Sequence, residues 1–143
     1  MKYLVLLLTM FSLAFSAQID KFASDVKYLR DYEKAVKTAK EEDKMVMLVL
    51  VGDYCPWCKK FEKKTLKSKE VKEVVDNNFI AVVIDKYKDK GNYPEEFYAP
   101  LIPAVYFINP STQKPILDTV AYMKKNEYIE NMEDALGLFE KEK

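Results

Sequence analysis

The sequence predicts an α/β domain in which a central mixed β-sheet is flanked by helices. Two apolar runs, Met45–Val51 and Phe79–Asp85, have the length and composition of strands that are covered on both faces. A helical segment separates them, and two strands joined by one helix form a βαβ unit with a parallel, right-handed crossover. Residues 103–109 and 115–120 lie close enough along the chain to form an antiparallel hairpin. The sheet is therefore expected to contain both parallel and antiparallel pairs.

The first helix is predicted to begin at Ser24, as an N-cap, and to run to about residue 43. Apolar residues recur at helical spacing along this segment, with charged residues between them. The apolar positions are Val26, Leu29, Tyr32, Val36 and Ala39. This stripe is expected to pack on the core of the domain, although a partner surface would show the same pattern.

A second helix is predicted to begin at the cysteine motif, to break near residues 65–68 and to resume after Ser68 as a cap. The last helix is predicted over residues 125–139. Residues 86–100 are charged, rich in tyrosine and interrupted by glycine and proline, so they form the one long loop candidate.

The N-terminal segment has the pattern of a secretory signal peptide. Lys2 provides a positive start, residues 4–15 are almost entirely apolar, and small residues precede a cut after Ser16 or Ala17. A membrane anchor would need about 20 apolar residues, and this stretch is shorter. We therefore expect residues 1–17 to be a signal peptide and residues 18–143 to be one domain.

Composition excludes several classes of function. The chain has 23 basic and 23 acidic residues, which gives no electrostatic reason to expect nucleic acid or a membrane surface as a partner. It has no histidine, which excludes a histidine general base, a Cys–His nucleophile pair and an ordinary histidine metal site. A closed zinc site takes four ligands, whereas the chain has two cysteines in all. We therefore expect neither a metal nor a cofactor.

Both cysteines lie in the motif Cys55-Pro56-Trp57-Cys58, between the first predicted strand and a helix. A helix N-terminus favours a thiolate, and Pro56 fits the first turn because its missing N–H has no partner there. Thiol–disulfide exchange needs an attacking thiolate and a second thiol that resolves the mixed disulfide. Cys55 is placed for the first role and Cys58 for the second. A disulfide across so short a loop constrains the unfolded chain little, so its value is expected to be chemical.

These features together resemble the thioredoxin superfamily. The cysteine motif at a strand end, the Ile102-Pro103 step before a strand, and the closing hairpin and helix all match it, and the resemblance covers nearly all of residues 18–143. The run from Cys58 to Glu62, followed by Thr65 and Val71, is most similar to secreted thioredoxin-like domains of the type at the C-terminal end of the bacterial thiol–disulfide interchange protein. The resemblance implies a thioredoxin-like fold.

The resemblance also implies a substrate-binding role for three residues. Pro103 would follow a cis peptide bond, which would leave the backbone of Ile102 exposed beside the cysteines, where a substrate chain can pair with it. Trp57 would contact substrate. The alternatives are an ordinary trans proline at a strand start and a half-buried tryptophan at a helix start.

Proton transfer at the resolving cysteine is assigned less directly. Thioredoxins proper carry a buried acid six residues before the first cysteine, and Val49 stands at that position here. Glu62 matches an acid of the interchange-type domains and would lie one helical turn after Cys58, which makes it the candidate proton acceptor. The alternative is a solvated glutamate on an exposed helix face.

The leading interpretation is a secreted, bacterial periplasmic thiol–disulfide oxidoreductase that acts on protein thiols and disulfides. The motif holds Trp57 where a disulfide-forming oxidase of this superfamily has histidine, and the chain lacks an inserted helical domain. A reductase or electron relay supplied by a membrane-bound electron donor is therefore favoured over an oxidase. The rival from another class is a non-catalytic thioredoxin-like binding module with incidental cysteines.

Overall fold

The computed structural model describes residues 17–143. Apart from Ala17, the predicted signal peptide lies outside the described residues and stays a prediction. The described part contains five α-helices and four strands, with one π-helical turn, Glu62–Leu66, between the third and fourth helices. In chain order they are α1 (Ala17–Val26), α2 (Tyr32–Glu42), β1 (Met45–Val51), α3 (Pro56–Phe61), α4 (Lys69–Asn78), β2 (Phe79–Asp85), β3 (Ala104–Asn109), β4 (Lys114–Val120) and α5 (Lys125–Glu142).

The four strands form one sheet in the order β2-β1-β3-β4. Strand β1 pairs in parallel with β2, with Met45 opposite Phe79, and antiparallel with β3. Strands β3 and β4 form the antiparallel hairpin. The predicted mixed sheet is thus confirmed. All seven residues of β1 are buried, as expected for a central strand that is covered on both faces.

Alternate side chains of β1 supply two cores, one on each face of the sheet. Met45, Met47, Val49 and Val51 contribute to the larger core, which contains residues of α1, α3, α4 and α5. The intervening residues of β1 face a smaller core, which contains residues of α2 and of the loop after β2. The sheet is therefore sandwiched between helices, and the end of β1 delivers the chain to the cysteine motif.

The single helix predicted from Ser24 to residue 43 is wrong, because the structure has two helices there. Ser24 lies inside α1, and Lys27 adopts a positive φ of 62° just after that helix ends. Leu29 then forms a parallel bridge with Val82 on the edge of β2. Pairing with the sheet edge overrides the local helical preference. The predicted stripe is divided as a result, because Val26 of α1 lies in the larger core whereas its members in α2 lie in the smaller one.

The predicted interruption after the cysteine helix takes the form of the π-helical turn. Lys67 N donates to Glu62 O at 3.0 Å, which is the five-residue spacing of a π-helix. Ser68 is the N-cap residue of α4, although its hydroxyl donates back to Thr65 O at 2.7 Å rather than capping the helix. Residues 86–100 contain neither helix nor strand, so the predicted loop is confirmed. Across residues 17–143, no helix is long and apolar enough to cross a membrane.

Candidate functional site

The two cysteines form a disulfide at the N-terminus of α3, with their Cα atoms 5.2 Å apart. Cys55 is the N-cap residue, and its Sγ accepts a hydrogen bond from the backbone N–H of Cys58 at 3.1 Å. Pro56 occupies the first turn, where no backbone donor is lost. Cys55 is half-buried, whereas Cys58 is fully buried. The pair is therefore asymmetric, and one sulfur lies nearer to solvent than the other.

The segment before β3 packs directly on Cys55. The Ile102–Pro103 peptide bond is cis, as expected, and the carbonyl oxygen of Ile102 lies 3.7 Å from Cys55 Sγ. Close packing from the far side holds this segment in place, since a Cβ atom on Gly52 would lie 2.8 Å from Ile102 Cδ1. Gly52 follows β1 directly, and its lack of a side chain permits this approach.

A cleft of about 380 Å³ opens beside Cys55. Asp53 and Lys88 form an ion pair across part of its wall. The Asp85 carboxylate accepts hydrogen bonds from the backbone N–H groups of Tyr87 and Lys88, each at 2.9 Å. The charged groups of the cleft are thus largely satisfied internally. The residues that line the cleft are Gly52, Asp53, Tyr54, Cys55, Pro56, Asp85, Tyr87, Lys88 and Ile102.

Trp57 belongs to the cysteine motif but does not line that cleft, and its ring packs against a second aromatic side chain. It is 56 % exposed, and its ring centroid lies 5.8 Å from that of Tyr122. The Lys60 ammonium lies 4.8 Å from the Trp57 centroid and 4.7 Å from the Tyr122 centroid, both within cation–π range. Trp57 is therefore an exposed aromatic beside the cysteines whose orientation is restrained by two neighbours.

The π-helical turn anchors the segment that carries Tyr122. The buried hydroxyl of Thr65 donates a hydrogen bond to the carbonyl oxygen of Met123 at 2.6 Å. This bond ties the turn after α3 to the connection between β4 and α5. The tie therefore fixes the position of Tyr122 relative to the cysteine helix.

Glu62 is buried, so the alternative of a solvated helix-face glutamate is wrong. It follows Cys58 by one helical turn, and one of its carboxylate oxygens, Oε1, has no hydrogen-bond partner within residues 17–143. Burial raises the pKa of the Glu62 carboxyl above its ordinary value, and the nearby charge of Lys59, 3.7 Å from Oε2, offsets part of that rise. Val49, at the position of the thioredoxin acid, is fully buried in β1. Glu62 is thus a buried acid close in sequence to the buried cysteine.

The structure brings Trp57, Ile102 and Pro103 to the cysteine pair, as the sequence predicts. Three contributors were missed. Gly52 gives no sequence signal of a close approach, Lys60 looks like part of a solvated lysine face, and Tyr122 is remote in sequence. Across residues 17–143, no group of three or more histidine, cysteine, aspartate or glutamate side chains is arranged to hold a metal ion.

Comparison with known proteins agrees with this architecture. The family described as Thioredoxin-like matches residues 27–110, which is more than half of the chain. Among curated proteins, Anterior gradient protein 3 of Mus musculus is 25 % identical over 91 residues, which cover 63 % of this chain and 53 % of that protein. The chain thus spans about half the length of this relative.

Solved structures of other proteins are similar to this fold. The oxidised C-terminal domain of DsbD from Neisseria meningitidis is 27 % identical, with a TM-score of 0.59 over 76 % of this chain and 98 % of that chain. A thioredoxin from Thermus thermophilus, at 16 % identity, has a TM-score of 0.65 over 76 % of this chain and 86 % of that chain, and shows the fold alone. The chain belongs to the thioredoxin-like family, and its disulfide-forming pair is Cys55–Cys58.

Proposed function

We propose that this protein is a secreted thiol–disulfide reductase or electron relay that acts on disulfides of other proteins. The observation that carries the proposal is the asymmetry of the cysteine pair. Cys55 is half-buried beside an open cleft, at a helix N-terminus, whereas Cys58 is fully buried behind it. An accessible attacking sulfur with a protected resolving sulfur is the arrangement that thiol–disulfide exchange requires.

The reaction proceeds in two exchanges. In the first, the Cys55 thiolate attacks one sulfur of a substrate disulfide, so that a Cys55–substrate disulfide forms while the substrate S–S bond breaks. The departing substrate thiolate takes up a proton. In the second, Cys58 loses its proton and attacks Cys55 Sγ, which closes the Cys55–Cys58 disulfide and releases the second substrate thiol. Two electrons have then passed from the protein to the substrate, and a dithiol protein must return them.

The surrounding residues have distinct roles in this scheme. Glu62 is the proton acceptor for Cys58, since burial raises the pKa of its carboxyl and prepares it to hold a proton. The backbone of Ile102, held by the Pro103 turn, pairs with the substrate chain beside Cys55. Trp57 contributes an exposed apolar contact within the cysteine motif.

Two features favour reduction over oxidation. Trp57, rather than a histidine, stands between the cysteines. Within the described residues, the segment between β2 and β3 is a loop, and the element order leaves no room for the extra helical domain that oxidases of this superfamily usually insert. A membrane-bound electron donor that keeps the cysteines reduced is the natural partner of such a protein.

Secretion to a bacterial periplasm is part of the proposal. It rests on the signal-like pattern of residues 1–17 and on the similarity to the C-terminal domain of DsbD. That domain has been crystallised in both the oxidised and the reduced form. The same two-state cycle is what we propose for Cys55 and Cys58.

Trapping of the mixed disulfide tests the proposal. In a Cys58→Ala variant the second exchange cannot occur, so Cys55 should accumulate substrate-linked species when the reduced variant meets disulfide-containing proteins. The Cys55→Ala variant, which keeps the buried sulfur only, is the matched control and should accumulate none. Equal trapping by both variants, or none by either, would contradict the assigned roles of the two cysteines.

A further inference from the structure

The helical segment that follows the cysteine pair carries an excess of positive charge. Residues 59–69 contain six lysines and one acidic residue, Glu62, which is buried. Lys59 lies 3.7 Å from the Glu62 carboxylate and Lys67 pairs with Asp25, so two of the six charges are offset within the protein. Three exposed lysines of α3 and the π-helical turn form no ion pair within residues 17–143, and we call them the basic surface: Lys60, Lys63 and Lys64.

The basic surface is continuous with the cysteine motif. Lys60 precedes Lys63 and Lys64 by three and four residues, so the three side chains are neighbours on the helical surface. The Lys60 ammonium lies 4.8 Å from the Trp57 ring centroid and 4.7 Å from that of Tyr122. Aromatic rings carry no net charge, so these contacts hold Lys60 beside the motif without neutralising it. The positive charge therefore begins at Trp57 and continues along the helix.

The clefts near Cys55 carry no such excess. A second cleft, of about 620 Å³, shares Tyr87 with the cleft beside Cys55. The Lys86 ammonium lies in its wall, where it donates to Ala99 O and lies 4.8 Å from the Tyr98 ring centroid. Across the two clefts, lysines and acidic residues are equal in number, so the charge of the basic surface is not offset there. The charged residues that line them are Lys86, Lys88, Lys90, Asp53, Asp85 and Glu95.

A protein whose disulfide reaches Cys55 also comes close to the basic surface. Lys64 follows Cys55 by nine residues, which is about 13 Å along a helix. An interface of standard size covers about 800 Å² on each partner, a patch roughly 16 Å in radius. Charged groups on the partner therefore come within the Debye length of these lysines, which is about 8 Å at physiological ionic strength.

We infer that the basic surface steers onto Cys55 those protein substrates that carry acidic residues about 10–15 Å from the reacting disulfide. This inference rests on the proposed function and adds the class of substrate. Opposite charges raise the rate at which the two proteins meet in the reactive orientation, and like charges on a competing protein lower it. The ion pairs formed are exposed to solvent, so they add more to the rate of association than to affinity.

An anionic lipid surface would also attract lysines, but the segment is poorly suited to one. A helix that lies on a membrane inserts its apolar face among the lipids. Here the large apolar residues of the segment, Phe61 and Leu66, are buried in the larger core of the domain. The basic surface is thus left without an apolar side to insert, which favours an acidic protein as the partner.

The test compares three peptide disulfides that differ only three to five positions from the cysteine, where they carry aspartate, asparagine or lysine. In an extended peptide these positions lie about 10–17 Å from the disulfide. At low ionic strength, kcat/KM for the aspartate peptide should exceed that for the asparagine peptide by about tenfold. The lysine peptide should be slower than both. In 1 M salt, where the Debye length is about 3 Å, the three values should converge.

Two double variants locate the effect. Lys63→Gln with Lys64→Gln should reduce the tenfold preference to about twofold or threefold, because one lysine of the basic surface remains. Lys37→Gln with Lys40→Gln is the matched control, since it removes the same charge from exposed lysines of α2. Helix α2 packs against the opposite face of the sheet, so the control should keep the full preference.

Equal kcat/KM for the aspartate and asparagine peptides in the wild-type protein, or equal losses of preference in the two double variants, would overturn the inference. A membrane role is measured by sedimentation with vesicles of phosphatidylcholine and phosphatidylglycerol. Co-sedimentation that depends on Lys63 and Lys64, combined with equal rates for the peptides, would overturn the inference in favour of a lipid surface.

Failure of the wild-type protein to reduce any of the three peptides would instead contradict the proposed function. The basic surface is then tested by binding alone, with the aspartate peptide carrying serine for cysteine. Trp57 fluorescence is the readout, since Trp57 is the only tryptophan and lies beside Lys60. Binding at low ionic strength that is lost when Lys63 and Lys64 are replaced would support the basic surface, and no binding would overturn it.

Discussion

Gly52 and Ile102 pack so closely that a methyl group on the glycine would lie 2.8 Å from Ile102 Cδ1. Gly52 precedes the cysteine motif, and Ile102 carries the carbonyl oxygen that lies 3.7 Å from Cys55 Sγ. The contact therefore links the strand that delivers Cys55 to the segment proposed to bind substrate. Its consequences can be measured separately from those of the cysteines.

Gly52→Ala should displace Ile102 from Cys55 and slow substrate reduction. The added methyl group meets the flexible end of Ile102 and lies 3.4 Å from the Tyr87 ring, so the fold should survive. We expect the free energy of unfolding to fall by about 1–3 kcal/mol, as for other overpacked sites. Denaturant unfolding and the rate of peptide disulfide reduction measure the two effects.

Two further variants make that test specific. A Cβ atom on Gly137, in the exposed face of α5, would meet nothing within 4 Å, so Gly137→Ala should stabilise the helix by about 1 kcal/mol without changing the rate. Ile102→Val removes Cδ1, the atom that the added methyl group would meet. In a double variant with Gly52→Ala, it should therefore restore the rate of peptide disulfide reduction. A double variant that is no faster than Gly52→Ala would show that the contact is not the cause.

Tyr122→Leu should free the Trp57 indole. The substitution removes the ring at 5.8 Å and half of the cation–π environment of Lys60. We expect the fluorescence anisotropy of Trp57 to fall and its quenching by acrylamide to increase, while Tyr98→Leu leaves both unchanged. Fluorescence that responds equally to the two substitutions would mean that Tyr122 does not hold the indole.

Thr65→Val should destabilise the protein by about 1–3 kcal/mol, because the carbonyl of Met123 would lose its 2.6 Å hydrogen bond in a partly buried position. Thr38→Val in α2, where the side chain is half-buried, is the matched control. Thermal unfolding measures both. If Thr65→Val and Thr38→Val changed the melting temperature equally, the Thr65–Met123 hydrogen bond would add nothing to stability beyond the local difference between threonine and valine.

Glu62→Gln should raise the melting temperature near neutral pH. Because burial raises the pKa of the Glu62 carboxyl, the folded protein keeps this proton at a pH where the unfolded chain has lost it. This contribution to stability is therefore present at low pH and is lost as the pH rises through the folded pKa. The amide cannot ionise, so the difference from wild type should shrink towards about pH 4, near the ordinary carboxyl value.

Glu70→Gln should change the melting temperature near neutral pH in the direction opposite to Glu62→Gln. A hydrogen bond from Lys125 at 2.7 Å lowers the pKa of the exposed Glu70 carboxyl. Its stabilisation is thus present at neutral pH and is lost as the pH falls, so Glu70→Gln should lower the melting temperature slightly near neutral pH. Parallel pH profiles for the two variants would contradict the burial argument for Glu62.

Much of this architecture could be predicted from the sequence. Strands β1 and β2 end where the apolar runs end. Both strands are covered on two faces, so nearly every residue in them is apolar and the sequence marks their limits. The break between α1 and α2 could not be predicted, since no glycine or proline marks it. It depends on the pairing of Leu29 with Val82, a contact between segments remote in sequence.

The candidate site, too, could be predicted from the sequence only in part. Cys55 and Cys58 carry a local signal, because the motif itself contains the chemistry and the helix start. The burial of Glu62 has no such signal, since it lies among lysines that mark an exposed face. The position of Tyr122 depends on the Thr65–Met123 hydrogen bond, which only the folded chain brings together. Contacts of this kind cannot be predicted from the periodicity or the spacing of residues in the sequence.

The reduced protein should present one reactive thiol. Cys55 is half-buried at a helix N-terminus and Cys58 is fully buried, so a short exposure to iodoacetamide should label Cys55 alone. In denaturant both should be labelled, and mass spectrometry of the peptides counts the two. Rapid labelling of Cys58 in the folded protein would contradict the assigned order of attack and resolution.

The reduction potential of the Cys55–Cys58 pair, measured against a dithiothreitol or glutathione series, tests the central claim most directly. A reductase should give a value near the roughly −270 mV of thioredoxin. A value near the roughly −120 mV of a strongly oxidising dithiol protein would contradict the proposed direction of electron flow. If no intramolecular disulfide formed at any potential, the enzymatic account would fail altogether and a binding module would remain.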